Sequence, residues 1–262
     1  MSSTPLHTDE PVDRFLSRPL AAVLVRILAP TPITPNGVTA VAAVCGLAAG
    51  VAIALEQGIW GAALILAFLV IDCVDGQLAR LRGGGNYLGR AVDGLGDYAA
   101  AAGVHLGMMW WAHQQGLSLG LAIVLMLAAA GSMSWSSFLF DRYKRRYRGD
   151  MDDVDAMQRE ADETGGFRGR LIASLIPYSA RLDGGVQVPD LAAYQARTGA
   201  AFQLWRLCGP TMHFAAMAVC VAFNLPVLYF WIAIGPFNLW TLAALILQRH
   251  LELRDPVVVQ TS

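Results

Sequence analysis

Four carboxylates recur at short fixed intervals between strongly apolar runs: Asp72 and Asp75 three residues apart, Asp93 and Asp97 four apart. Between them lie Gly76, Ala79 and Arg80, a break at Gly83-Gly84-Gly85, and Gly89. On helices, spacings of three and four place each acidic pair on one face. Asp75 stands eight residues before Gly83 and Asp93 eight after Gly85, while Asp72 and Asp97 stand eleven and twelve away. At a rise of about 1.5 Å per residue, antiparallel helices joined at the glycines carry the pairs to matching depths, roughly 12 and 17 Å from the turn. Four ionised carboxylates in a partly dry volume repel one another and lose hydration, so they take up protons or hold cations. Oxygen donors without a His or Cys pair suit Mg2+ or Mn2+, and four acids suffice to bridge two ions. Paired ions of this kind hold and polarise phosphates. Arg80 is a natural partner for phosphate oxygens, and Gly76, Ala79 and Gly89 leave room for a ligand against the backbone.

Two blander readings stand beside this one. Intramembrane acids can be protonated packing groups, or they can line an ion pathway, as in a divalent-cation transporter. Neither has much need of Gly76, Ala79 and Arg80 in register with four acids at matched depth.

The pattern Asp72, Asp75, Gly76, Ala79, Arg80, Gly89, Asp93, Asp97 resembles the signature of the CDP-alcohol phosphotransferase family, with every fixed position filled. The resemblance covers 26 residues and implies a membrane enzyme of six transmembrane helices, usually a homodimer. Such an enzyme moves a substituted phosphate from a CDP-linked donor to an alcohol and releases CMP. By position, Asp72, Asp75 and Asp93 resemble metal ligands. Asp97 resembles the general base, which can also touch metal. Gly76, Ala79, Arg80 and Gly89 resemble the nucleotide-binding positions. The favoured donor is CDP-diacylglycerol, with a small polar alcohol or its phosphate as acceptor. The reverse arrangement, a polar CDP-alcohol such as CDP-choline or CDP-ethanolamine donating to a lipid alcohol, uses the same motif.

The elements that must position these residues are apolar. Of 262 residues, 55% are hydrophobic and 15% charged, with mean hydropathy +0.46, which places the chain among membrane proteins. The formal net charge is −1, and no nucleic-acid partner is expected. Cys45, Cys73, Cys208 and Cys220 are scattered without a Cys-x-x-Cys pair and read as packing residues. The first ten residues are polar and do not resemble a cleavable signal. Residues 11–29 interleave Phe15, Leu16, Leu20, Val23, Leu24 and Ile27 with Arg14, Arg18 and Arg26, a pattern for a helix lying along a membrane interface. A proline-rich break follows, in which Asn36 and Thr39 read as caps of the next helix.

Apolar stretches long enough to cross a bilayer are expected at 37–56, 59–81, 88–112, 117–140, 207–224 and 227–248, an all-α membrane protein of six spans in a single domain. With the N-terminus in the cytoplasm, all 19 Lys and Arg residues fall on the cytoplasmic side or at its boundary, so the site faces that compartment. The run Asp141-Arg142-Tyr143-Lys144-Arg145-Arg146-Tyr147-Arg148 reads as an anchor for anionic headgroups, with Lys144 and Arg145 as candidates for binding the acceptor. Residues 141–206 form a cytoplasmic connector. Its acidic stretch from Asp150 through Glu160 to Glu163 reads as a solvated surface, and its Leu171 to Tyr178 stripe as an interfacial helix. Further on, His213 and Asn238 are expected in interhelical hydrogen bonds, Pro236 at a kink, and His105 packed.

Overall fold

In the computed structural model, residues 8–84, 87–150, 154–183, 186–254 and 260–261 are described. They form helices α1 (Arg18–Leu28), α2 (Pro35–Ala54), α3 (Gly58–Leu81), α4 (Tyr87–Gln114), α5 (Leu119–Arg148), α6 (Val154–Thr164), α7 (Gly166–Asp183), α8 (Leu191–Trp205), α9 (Pro210–Ala222), α10 (Pro226–Ile232) and α11 (Asn238–Leu253). Two π-helical turns, Asp13–Ser17 and Ala233–Phe237, precede α1 and α11, and a two-residue antiparallel pairing joins Val186–Gln187 to Gln260–Thr261. Five stretches are long and apolar enough to cross a membrane: Pro35–Ala54, Gly58–Leu81, Leu119–Arg148, Leu191–Ala222 and Pro226–Leu253. The chain is therefore an all-helical integral membrane protein. The stretch expected at 88–112 is present as α4 but falls outside that group. Arg90, Asp93 and Asp97 lie within it, among many glycines and alanines, and hold its hydropathy down.

Helices α2, α3 and α4 form the half of the bundle that carries the acids, with α2 packed along both of the others. The α2–α4 seam depends on missing side chains. A Cβ at Gly50 would collide with the Gly103 carbonyl, one at Gly107 would collide with Gly50, and one at Gly46 would strike Ala100. Backbones that approach this closely gain dispersion contact along their length, the usual basis of helix association in membranes. Around the seam a core of Ile53, Ile65, Phe68, Met108, Trp111 and Met217 is closed to solvent.

Helix starts follow capping chemistry. Thr34, in extended conformation, accepts from Gly37 N at 3.2 Å and opens α2, with Pro35 in its first turn. The cap is thus Thr34 rather than Asn36 or Thr39. The turn between α3 and α4 begins with Gly83 and Gly84 at φ +105° and +103°, a conformation that a side chain would strain.

The second half packs α8 against α11 and α5. Here His213 meets Ser136 at 2.8 Å and the Tyr229 hydroxyl at 3.0 Å, and Asn238 donates to Ser132 at 2.9 Å. A π-turn over Ala233–Phe237 contains Pro236. His105 is buried, its Nδ1 2.8 Å from the Ala101 carbonyl. Helix α7 packs on α4 and α5 with Ile172 fully buried, which accounts for part of the apolar stripe as a protein contact.

The N-terminal segment is bound into the bundle. Glu10 is buried at the start of α9, where it accepts from Met212 N at 3.0 Å and Thr211 N at 3.4 Å. Asp13 accepts from the Thr211 hydroxyl at 3.2 Å, Asp9 pairs with Arg18 at 2.7 Å, and the Asp9 carbonyl accepts from Arg206 at 2.6 Å. Burial, reinforced by the neighbouring charge of Asp13, pushes the Glu10 carboxyl up to about 8 against the donors at α9 and Lys144.

Two outcomes are expected. Gly50→Ala should destabilise the detergent-solubilised protein by about 1–3 kcal/mol in chemical denaturation, because a collision with a backbone carbonyl is not relieved by a rotamer change. The folded protein holds the Glu10 proton more tightly than the unfolded chain, so its contribution to stability is complete below the ordinary value of 4.5 and is lost as pH rises towards 8. In that window the slope approaches about 1.4 kcal/mol per pH unit. Glu10→Gln should flatten it, as read from denaturation midpoints across pH.

Candidate active site

Asp72 and Asp75 project from α3 and Asp93 from α4 so that one carboxylate oxygen of each lies within 4.8 Å of the others. Asp97, one turn beyond Asp93, is in hydrogen-bond reach of Asp72, and Asp75 is in reach of Asp93. Asp97 thus adjoins the cluster of three through Asp72 and lies outside the 4.8 Å group itself. Asp75 is buried and the other three are half-buried. Carboxylates at this separation need a proton or a cation between them. Oδ1 of Asp93 is buried with no hydrogen-bond partner, which is the state of a ligand atom whose partner is not protein. An all-oxygen donor set with an unused buried oxygen fits hard divalent ions. Cys73, the one thiol adjacent to these acids, turns away and meets Asp13 at 4.0 Å.

The orientation of Asp75 is fixed from a third helix. Thr39 on α2, 6% exposed, donates its hydroxyl to Asp75 Oδ2 at 2.5 Å and lies 3.2 Å from the Pro35 carbonyl. A β-branched side chain has few rotamers in a helix, so this donor is held in place.

Gly76, Ala79 and Arg80 continue the acidic face of α3. The exposed Arg80 folds back towards Gly76, where a Cβ would stand 3.6 Å from its Nη1, close enough for the guanidinium to act on Asp75. The Ala79 carbonyl receives Gly84 N at 3.0 Å and helps end the helix. Arg82, a residue the motif does not specify, clasps the α1–α2 link through the Ile33 and Thr31 carbonyls. Half-buried Gly89 sits one turn before Asp93 on α4.

The start of α4 is capped from the connector. Glu160 on α6 accepts from Tyr87 N at 3.1 Å and Leu88 N at 3.4 Å, so at least this residue of the acidic stretch has a structural partner. Lys144 and Arg145 line a separate cleft of about 220 Å3 together with Arg90, Asp141, Arg148 and Asp150. The cleft adjoins the carboxylates, because Asp141 is close enough to act electrostatically on Asp97. Tyr178 of α7 faces the same region, near Asp141, Tyr98 and Arg145.

Sequence reasoning missed Thr39 as an Asp75 partner, Glu160 as a cap and Asp141 as a member of the cleft. Only Thr39 carried a signal, as a lone hydroxyl one turn into an apolar helix, and that signal is shared by ordinary caps.

Residues 32–152 match the family model described as CDP-alcohol phosphatidyltransferase. Among curated relatives, the phosphatidylinositol phosphate synthase of Mycobacteroides abscessus is 35% identical over 102 residues, 37% of this chain and 43% of that protein. The enzyme of the same name from Corynebacterium glutamicum is 32% identical over 109 residues, 40% of this chain and 47% of its own. That from Mycobacterium tuberculosis H37Rv is 30% identical over 127 residues, 46% and 55%. The match thus spans about half the length of these relatives. A crystal structure of the M. tuberculosis synthase in apo form superposes with TM-score 0.44 at 16% identity, covering 91% of this chain and 96% of that one. One in complex with manganese and citrate gives 0.39 at 19% identity, covering 84% and 88%. The segment matched, residues 32–152, holds Thr39, the four aspartates, Arg80, Gly89 and the basic run, and over that segment the chain is similar to the CDP-alcohol phosphatidyltransferase family.

Proposed function

We propose that this protein transfers a substituted phosphate from CDP-diacylglycerol to a polar alcohol or its phosphate and releases CMP. The observation that carries the reading is the meeting of Asp72, Asp75 and Asp93 around an unpartnered buried oxygen, with Asp97 in reach of Asp72 and Arg80 alongside. The curated relatives are phosphatidylinositol phosphate synthases, which supports a phosphatidyl donor.

Asp72, Asp75, Asp93 and Asp97 would hold two Mg2+ or Mn2+ ions, which when bound neutralise pyrophosphate charge and polarise the phosphorus under attack. Gly76, Ala79 and Gly89 leave the nucleotide access to the backbone, and Arg80 supplies donors to its phosphates. Asp97 takes the proton from the acceptor hydroxyl. The acceptor oxygen bonds to the phosphorus bearing the lipid, and the bond from that phosphorus to the bridging oxygen breaks, its electron pair leaving with CMP. Lys144 and Arg145 suit an acceptor that carries its own phosphate, since their cleft adjoins Asp97 through Asp141.

In this reading the chain is a single membrane unit and α4, about 42 Å long, is the sixth crossing. Packed along α2, it presents Asp93 and Asp97 inward rather than to lipid. The amphipathic α1 lies along the cytoplasmic interface, where its exposed Leu20, Val23 and Ile27 meet lipid. The site faces the cytoplasm, because the loops at the far end, around Gln57, Gln115 and Asn224, carry no Lys or Arg. A homodimer is the expected assembly.

The reading is tested by CMP release from purified protein with Mg2+. CDP-diacylglycerol plus a panel of polar alcohols and their phosphates is set against CDP-choline or CDP-ethanolamine plus diacylglycerol. Release only in the first arm is expected; release only in the second reverses donor and acceptor, and silence in both favours cation transport. Asp97→Asn should lower turnover by about 10²–10⁴-fold with little change in donor affinity, whereas Asp75→Asn should raise the metal concentration needed for half-maximal activity. Thr39→Val should weaken Mn2+ binding by about 10–100-fold, and Thr39→Ser should restore most of it, as titrated by the paramagnetic resonance signal of free Mn2+. Lys144→Ala should raise the KM for a phosphorylated acceptor and leave that for the donor unchanged.

A further inference from the structure

The basic run of α5 has a second face, turned from the cleft towards α8 and α11. Arg146 is 4% exposed. Its Nη1 lies 3.8 Å from Glu252 Oε1, and its guanidinium carbon stands 5.5 Å from the centre of the Tyr143 ring. Its remaining edge, Nε and Nη2, is buried with no partner. Those two nitrogens present parallel N–H groups, the fork that pairs with two oxygens of a phosphate or carboxylate. Arg142, one turn earlier, also has a buried Nε without a partner. Arg249 of α11, exposed, is close enough to act electrostatically on Arg142, as are Arg146 and Glu252.

Among the described residues, Glu252 is the carboxylate that serves this group. Glu252 Oε1 already receives the Tyr194 hydroxyl at 2.9 Å and Gln248 Nε2 at 2.9 Å, and Gln248 also donates to the Tyr194 oxygen at 3.0 Å. Among the described residues, three guanidinium groups thus stand against one acid. A buried guanidinium with an unused bidentate edge is costly unless an anion completes it. The orphaned atoms of Arg146 and Arg142 and the preponderance of positive charge, with Arg249 exposed beside them, point to an anionic partner.

We infer that Arg142, Arg146 and Arg249 form an anion site for a phosphate group, distinct from the Lys144–Arg145 cleft, at the ends of α5 and α11. Both helix ends lie where the basic residues place the membrane surface, so the phosphodiester of an anionic lipid is one source and inorganic phosphate the other. Occupancy would tie α5 to α11 without touching the carboxylate centre.

The test is thermal unfolding of the full-length protein in a nonionic detergent, with short-chain phosphatidylglycerol, short-chain phosphatidylcholine or inorganic phosphate added. Phosphatidylglycerol or phosphate should raise the midpoint and phosphatidylcholine should not. A shift with lipid alone identifies a headgroup, and one with phosphate as well identifies the free anion. Arg142→Gln/Arg249→Gln, which leaves the buried Arg146–Glu252 pair in place, should lose more than half of that shift, and Lys144→Ala should keep it. No shift with either anion, an undiminished shift in the double variant, or a shift abolished by Lys144→Ala would overturn the inference.

Discussion

Mutual repulsion among four carboxylates is the constraint that the rest of the molecule serves. Asp72, Asp75 and Asp93 cannot be held within 4.8 Å of one another, with Asp97 in reach of Asp72, by any flexible arrangement. The cost of crowding has to be offset by ligation and resisted by a rigid frame. Three helices share that task. The glycine seam brings α2 and α4 into backbone contact, which sets the distance between α4 and the Thr39 hydroxyl of α2. The positive-φ glycines turn α3 back so that its acids meet those of α4. Remote parts of the chain then close the frame: Glu160 caps α4, and the segment around Glu10 and Asp13 joins the start of α9 to the α3 residue beside Asp72.

Rigid support of this kind explains the glycines of the α2–α4 seam. A side chain at Gly46, Gly50 or Gly107 would widen the seam and pull α4 from Thr39, whereas at Gly76 a Cβ would meet only the guanidinium end of Arg80, in the space beside the acids. Packing and ligand access thus make the same demand at different positions. The basic residues are divided just as sharply. On one face of α5, Lys144 and Arg145 look onto the cleft beside Asp97; on the other, Arg142 and Arg146 look towards α11.

What the sequence disclosed was periodic or local. The intervals from Asp72 to Asp97 put the acids on two facing helices, and hydropathy located the apolar helices to within a few residues at most ends. His213 and Asn238 were legible as interhelical donors or acceptors because polar groups in an apolar helix have few other partners. Pairings across long separations were not legible. Thr39 finds Asp75 36 residues away, Glu160 finds Tyr87 73 away, and Glu10 finds Thr211 201 away. In each case a side chain suited to capping or to water was recruited by a neighbour that only the folded chain supplies. Helix α4 is long enough to cross a membrane but more polar than the other long helices, and Arg90, Asp93 and Asp97 contribute to that polarity.

The central claim is that the carboxylates close around a pair of divalent ions. Mn2+ binding to the purified wild-type protein, followed by electron paramagnetic resonance, addresses it without any assumption about substrate. Two bound ions per chain with a spin-coupled signal are predicted, with the coupling abolished in Asp75→Asn and Asp93→Asn. A single uncoupled ion, or binding that survives both substitutions, would contradict the account.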